Sequence, residues 1–66
     1  VKVNLKNLIL AINKKGLGIG QFLSDCKVAP STYTLIRKGN NKIKLNTVSK
    51  MAKFLQVDIE TLIEEY

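Results

Sequence analysis

Short apolar segments with helical spacing follow one another along this chain, and glycine, proline or polar residues separate them. The first segment presents apolar residues at i, i+3, i+4 and i+7, the spacing of one helix face: Leu5, Leu8, Ile9 and Ile12. No segment of any length alternates polar and apolar residues, so the sequence predicts no sheet. These patterns predict an all-α fold of five short helices.

Capping residues and glycines predict the limits of the first three helices. Asn4 is a suitable N-cap for the first helix, and Gly16 is a suitable stop. The second helix is expected to start at Gly18 and to run to Cys26. The third is expected from about Pro30 to Lys38, because a proline fits the first turn of a helix, where its missing N–H costs nothing. Gly39 is its expected C-cap.

The inward-facing residues of the third and later helices follow from the same spacing. Tyr33 and Ile36 are expected to face the core, and residues 40–44 form a polar, basic loop. The fourth helix is expected to begin at Asn46 or Thr47 and to bury four residues: Val48, Met51, Ala52 and Leu55. The fifth, with Asp58 as N-cap, is expected to bury Ile59, Leu62 and Ile63. Its solvated face would carry an i, i+4 set of Glu60, Glu64 and Glu65.

Charge is distributed unevenly along the 66 residues, which carry a net charge of +6. Between Lys27 and Lys53 there are seven Lys or Arg residues and no Asp or Glu, whereas four of the five acidic residues lie in the last nine positions. A surface that only ensured solubility would mix the two signs. The basic span therefore favours a polyanion partner, while a simple solubility device is the alternative.

Several classes of function lack the residues that they need. The chain has no histidine and a single cysteine, Cys26, which we expect to be buried as a small apolar residue. We therefore expect no enzyme activity, no cofactor and no metal. The longest apolar run, Leu8 to Ile12, is too short to span a membrane or to form a secretory leader, and a lone cysteine suits a reducing compartment. These features predict a cytoplasmic protein.

Length predicts a single domain, residues 1–66, because a chain this short has room for one core. Its only methionine is Met51. We therefore expect a chain that has lost its initiator or a domain cut from a longer protein.

Two short helices joined by a tight turn, the second with polar outward residues, form the helix-turn-helix plan. Three separated stretches carry a closer likeness: Lys15-Gly16-Leu17, Val28-x-x-Ser31-Thr32-x-x-x-Ile36-x-x-Gly39, and Leu45-Asn46-Thr47-Val48 followed by Met51-Ala52-Lys53-x-Leu55-x-Val57. From Leu5 to Leu62 the chain resembles the phage-repressor and Cro-like helix-turn-helix family, the Xre-type bacterial transcription regulators. The resemblance implies a lambda-repressor-like fold in which the second and third helices form the motif.

The chain departs from the family pattern at four positions. Ile19 stands where many members have Gln, Leu23 where Ala is frequent, Lys27 where the turn often has Gly, and Ile43 where Pro is common. A lysine in a left-handed turn conformation would be mildly strained.

The resemblance implies sequence-specific binding to double-stranded DNA in the bacterial nucleoid, with the third helix in the major groove. Base contacts are expected from Pro30, Ser31, Thr34, Leu35, Lys38 and Asn41. Leu35 can pack on thymine methyl groups, and the alternative is a contact with a partner subunit or a partly covered surface leucine. The amide of Asn41 can pair bidentately with adenine. Tyr33 is interpreted as a core residue rather than a platform for stacking bases.

Phosphate contacts are expected from two regions beside the third helix and from that helix itself. The residues are Gly18, Ile19, Gly20 and Gln21 at the start of the second helix, Thr32 and Arg37 on the third, and Asn40, Lys42 and Lys44 in the following loop. Three simpler interpretations stay open: loop flexibility for the glycines, an ordinary solvated turn for the loop, and a surface ion pair for Arg37.

Family members commonly act as dimers, so a homodimer through residues 56–66, or through a domain missing from this chain, is expected. An apolar tail of Ile59, Ile63 and Tyr66 would form that contact or a surface for a different protein. The alternative function is a helix-turn-helix module that binds another protein, such as an antitoxin-like domain or a partner-binding regulator, without DNA specificity of its own.

Overall fold

The structure, a computed structural model, describes the backbone of residues 1–65 and the side chains of residues 1–64. It consists of β1 (Lys2–Val3), α1 (Leu5–Lys14), α2 (Ile19–Cys26), α3 (Pro30–Arg37), α4 (Leu45–Leu55), α5 (Ile59–Leu62) and β2 (Ile63–Glu65). The predominantly helical fold that the sequence predicts is confirmed. The prediction of no sheet is wrong, because β1 and β2 pair as an antiparallel ribbon.

The first four helices end in the same backbone arrangement, a residue in the left-handed conformation. After α1 and α3 that residue is a glycine, Gly16 at φ 74° and Gly39 at φ 77°. After α2 and α4 it is Lys27 at φ 61° and Gln56 at φ 58°. In all four cases the N–H of the next residue reaches back to a carbonyl five positions earlier, as Val28 does to Leu23 at 3.0 Å. Lys27 thus adopts the strained conformation that glycine would adopt more easily.

The start of α1 follows the sequence prediction. Asn4 caps this helix, since its side-chain oxygen accepts a hydrogen bond of 3.1 Å from the N–H of Asn7. The start of α4 does not follow it. The helix begins at Leu45, one or two residues earlier than Asn46 or Thr47, because Lys44 takes the extended N-cap conformation without a side-chain cap.

One core fills the space between the helices. The inward residues predicted for α4 are all buried, and so are Phe22, Leu23, Cys26 and Ile36. Tyr33 packs against this core while partly exposed. Three buried residues lie outside the predicted helices: Val3 on β1, Val28 in the turn before α3 and Ile43 in the loop before α4.

The C-terminal region differs from the single helix that the sequence predicts. After four helical residues Ile63 turns to the extended conformation, φ −103° and ψ 127°, and begins β2. Because Glu64 lies on that strand, the i, i+4 helical set of glutamates does not form. Leu62 is buried as predicted, whereas Ile59 and Ile63 are only partly buried against the core. Tyr66, the third member of the predicted apolar tail, lies outside the described residues.

Backbone hydrogen bonds hold the two strands together and join the ribbon to the start of α1 and the end of α5. Val3 pairs with Ile63 and Lys2 with Glu65, with an irregularity between the two pairs. Asn4 N–H donates to the carbonyl of Leu62 at 2.8 Å. Such short strands cannot show an alternating pattern, which is why the sequence did not reveal them. No helix in the described part of the chain is long and apolar enough to cross a membrane.

Candidate nucleic-acid interface

The outward face of α3 combines exposure with polar groups. Ile36, on the inner face, is only 2% exposed. The residues predicted to contact bases are all exposed on or beside this helix: Pro30, Ser31, Thr34, Leu35, Lys38 and Asn41. Leu35 is 42% exposed, which leaves an apolar patch among polar neighbours. The structure therefore presents these side chains together, apart from Asn41, which follows two residues after the glycine turn.

Hydrogen bonds within α3 alter what two of its residues can offer. The Thr34 hydroxyl donates to the carbonyl of Pro30 at 3.1 Å, so its proton is engaged and its oxygen is left as an acceptor. The backbone N–H of Thr32 bonds the carbonyl of Ala29 at 3.0 Å, and this residue is half-buried. Ser31 lies exposed at the second position of the helix. It is thus the hydroxyl best placed to reach a base edge.

The loop between α3 and α4 is held from two sides. The side-chain oxygen of Asn40 accepts a hydrogen bond of 2.7 Å from the N–H of Lys42, which closes a tight turn. Ile43 exchanges backbone hydrogen bonds with Val1, of 2.9 and 3.2 Å, and its side chain is buried. Lys42 and Lys44 therefore extend to solvent from a fixed backbone. Such a loop suits phosphate oxygens.

The start of α2 offers backbone groups more than side chains. Gly18 is its N-cap in an extended conformation, and no side chain from the described residues caps this helix end. Gly18 and Gly20 are exposed, whereas Ile19 packs partly against the core. The Gln21 amide donates to Asp25 at 2.8 Å, so part of its donor capacity is engaged within α2. A phosphate at this position would meet mainly backbone N–H groups.

Arg37 completes the predicted phosphate set. It is exposed in the last turn of α3, immediately before Lys38. The side chain therefore adds positive charge beside the outward face.

Cys26 is the last residue of α2; it faces the core and is 5% exposed. Burial raises the pKa of its thiol above the ordinary value of 9.0, and the nearby charge of Lys50 partly opposes this rise. The thiol is neutral near pH 7 and is a poor nucleophile. Cys26 is a core residue, as the sequence predicts.

A shallow groove lies away from α3, between α1 and α5. It encloses about 130 Å³ and is lined by Asn7, Leu10, Ala11, Lys14, Val57 and Thr61. Leu10 is 50% exposed there, and the amide of Asn7 donates to the carbonyl of Thr61 at 2.9 Å. The exposed side chain of Leu10 gives this groove an apolar surface.

Two contacts that matter for the interface were not predicted. The Lys50 ammonium donates to the carbonyl of Lys27 at 3.2 Å, joining α4 to the turn before α3. Val1 supports the loop through Ile43. Both pairs are separated by more than twenty residues, and no local spacing in the sequence signals such pairs.

Comparison of the chain with protein-family models, with curated proteins and with solved structures gave no significant match.

Proposed function

We propose that this chain is a sequence-specific, double-stranded DNA-binding domain of a bacterial or phage-type transcription regulator. In this proposal α2 and α3 form a helix-turn-helix of the phage-repressor and Cro-like kind, with α3 in the major groove. The protein would act in the cytoplasm, at the nucleoid.

One observation carries the proposal. The exposed polar face of α3 lies within the stretch of sequence from Lys27 to Lys53. This stretch contains seven basic residues and no carboxylate. A duplex presents phosphates on both sides of the groove, so a helix that enters it needs positive charge around it and hydrogen-bonding groups at its leading edge. The arrangement of α3 and its neighbouring loop meets both needs.

The two kinds of contact have separate sources. Ser31, Leu35 and Asn41 would meet base edges, and Thr34 would act through its oxygen as an acceptor. Lys42, Lys44 and the N–H groups at the start of α2 would hold phosphates on either side. Phosphate contacts fix the register of the protein on the duplex, whereas base contacts select the sequence.

A homodimer would extend this recognition to two half-sites, whose centres lie about 34 Å apart on B-DNA. Residues 56–66 or a further domain would join the copies.

Two single substitutions test the proposal on duplexes selected from a random pool. Ser31→Ala should change the base preference, because it removes a hydroxyl at the leading edge of α3. Lys42→Ala should weaken binding to all duplexes alike and lower the salt slope by about one, because it removes one phosphate contact. Dissociation constants measured at several salt concentrations report both effects.

Lys14→Ala is the matched control, because it removes the same charge from α1, beside the groove and outside the proposed interface. It should leave the base preference and the salt slope unchanged. If Ser31→Ala and Lys42→Ala both bind like the wild type, the proposed docking is wrong.

The groove beside Leu10 favours a second candidate, a protein-interaction module of the same fold without DNA specificity. Apolar surface that is exposed in a small domain can serve as a contact for another protein. Duplex binding that is absent at low salt would support this candidate against the first.

A further inference from the structure

Lys50 forms a hydrogen bond that links α4 to the turn between α2 and α3. Its ammonium donates to the carbonyl of Lys27 at 3.2 Å, across 23 positions of sequence. Lys27 has φ 61° and ψ 42°, a left-handed conformation that is strained for a lysine and that glycine adopts freely. Only Val28 and Ala29 separate it from the first residue of α3. The direction in which α3 leaves the turn therefore depends on the backbone angles at Lys27.

The last turn of α2 contains no basic residue, and its C-cap is Lys27 itself. Lys14, Arg37 and Lys53 lie in the last turns of α1, α3 and α4, where a positive charge complements the helix dipole, but α2 has no basic residue there. From α4, Lys50 adds a second positive charge beside the charge of Lys27 at this helix end. The charge of Lys50 also lowers the pKa of the neighbouring Cys26 thiol, against the rise caused by burial, which agrees with this position.

The end of α4 provides an internal comparison. Gln56 has nearly the same angles as Lys27, φ 58° and ψ 42°, and the same two backbone hydrogen bonds. Among the described residues no side chain donates to the carbonyl of Gln56. The added bond therefore distinguishes the turn that precedes α3 from the turn that precedes α5.

We propose that Lys50 is a positioning residue for DNA binding: its ammonium holds the carbonyl of Lys27, fixes the left-handed turn and so sets the direction of α3. This inference rests on the proposed function. Lys50 is exposed within the basic span, so a direct phosphate contact is the competing role that an experiment must separate.

A mutant cycle separates the two roles. Lys50→Met keeps most of the side chain but removes the donor, and Lys27→Gly removes the strain that the donor opposes. We expect Lys50→Met to weaken binding to the selected duplex by roughly three- to fivefold in the wild-type background, with an unchanged salt slope. In the Lys27→Gly background the same substitution should weaken binding less than about 1.5-fold, because glycine adopts the left-handed conformation without strain.

Lys27→Ala is the matched control, since it removes the same charge as Lys27→Gly but retains the strained conformation. In that background Lys50→Met should again cost roughly three- to fivefold. Lys50→Arg should bind within about twofold of the wild type, because it retains a donor. Thermal unfolding of every variant confirms that each is folded.

The outcomes have distinct meanings. Equal losses in all backgrounds, with a salt slope lower by about one, would show a phosphate contact and contradict the positioning role. Unchanged affinity of Lys50→Met would contradict it as well, whatever happens to the thermal midpoint. A wild-type chain that binds no duplex contradicts the proposed function and with it the role of Lys50, whereas the first two results contradict the role of Lys50 alone.

Discussion

Two residues other than glycine adopt the left-handed backbone conformation that glycine adopts most easily. Lys27 and Gln56 both have positive φ, and the left-handed conformation costs an ordinary L-residue about 1–2 kcal/mol. Gly16 and Gly39 occupy the equivalent positions after α1 and α3 without that cost. The fold therefore tolerates local strain at two of its four matching helix ends. At Lys27 the carbonyl also accepts a hydrogen bond from Lys50, which under the proposed positioning role offsets part of that cost.

Gln56→Gly should stabilise the protein by about 1 kcal/mol, because it relieves the strain at an exposed position while keeping both backbone bonds of the turn. For a domain of this size the thermal midpoint should rise by about 5 °C. Thermal unfolding followed by circular dichroism measures the shift. Gln56→Ala, the control, keeps Cβ and should bring no such gain. A lower midpoint for Gln56→Gly would contradict the assignment of strain to this residue.

At the scale of the helices, the residue that starts α4 is unfavourable for the stability of the helix but favourable for the proposed phosphate contact. Lys44 occupies its N-cap position at φ −69° and ψ 136°, a conformation in which Ser or Asp would cap the helix. A lysine provides no acceptor there, and its charge opposes the helix dipole. Under the proposed function the same charge holds a phosphate.

Lys44→Ser should therefore stabilise the fold by about 0.5–1 kcal/mol. At the same time it should weaken duplex binding and make the slope of log affinity against log salt concentration less negative by about one. Lys44→Ala removes the same charge without supplying a cap, so it should weaken binding to a similar degree and leave the fold less stable than Lys44→Ser. Chemical denaturation and duplex titration measure the two properties. If Lys44→Ser binds as tightly as the wild type, Lys44 makes no phosphate contact.

Local signals explain which helices could be predicted. Asn4, Gly16, Pro30 and Gly39 act on backbone groups within a few residues, so the limits of α1 to α3 follow from the sequence to within about one residue. The start of α4 was missed because no side chain caps it. The outward face of α3 was predictable from helical spacing, but the hydrogen bond that engages the Thr34 hydroxyl was not.

At the scale of the whole molecule, the missed features share one cause. The pairing of β1 with β2, the exchange between Val1 and Ile43 and the link from Lys50 to Lys27 all join residues that are distant in sequence. Periodicity reports which face of an element is buried, and it carries no information on which distant groups meet. The burial of Val3 and Ile43 depends on these pairings, so both residues were absent from the predicted core.

Size also fits the proposed mode of binding. The molecule measures 27 × 23 × 19 Å, and successive half-sites on B-DNA lie about 34 Å apart. Under the proposed function, one copy would therefore cover one half-site. Two copies would be needed to read both.

The salt dependence of duplex binding by the wild-type chain tests the central proposal most directly. Lys42, Lys44 and Arg37 would each neutralise a phosphate, and each adds about −0.9 to the slope of log affinity against log salt concentration. We predict a linear plot with a slope of about −3 or steeper for a selected duplex. Binding that does not change with salt, or no binding at low salt, would contradict the proposal that α3 and its basic surroundings recognise DNA.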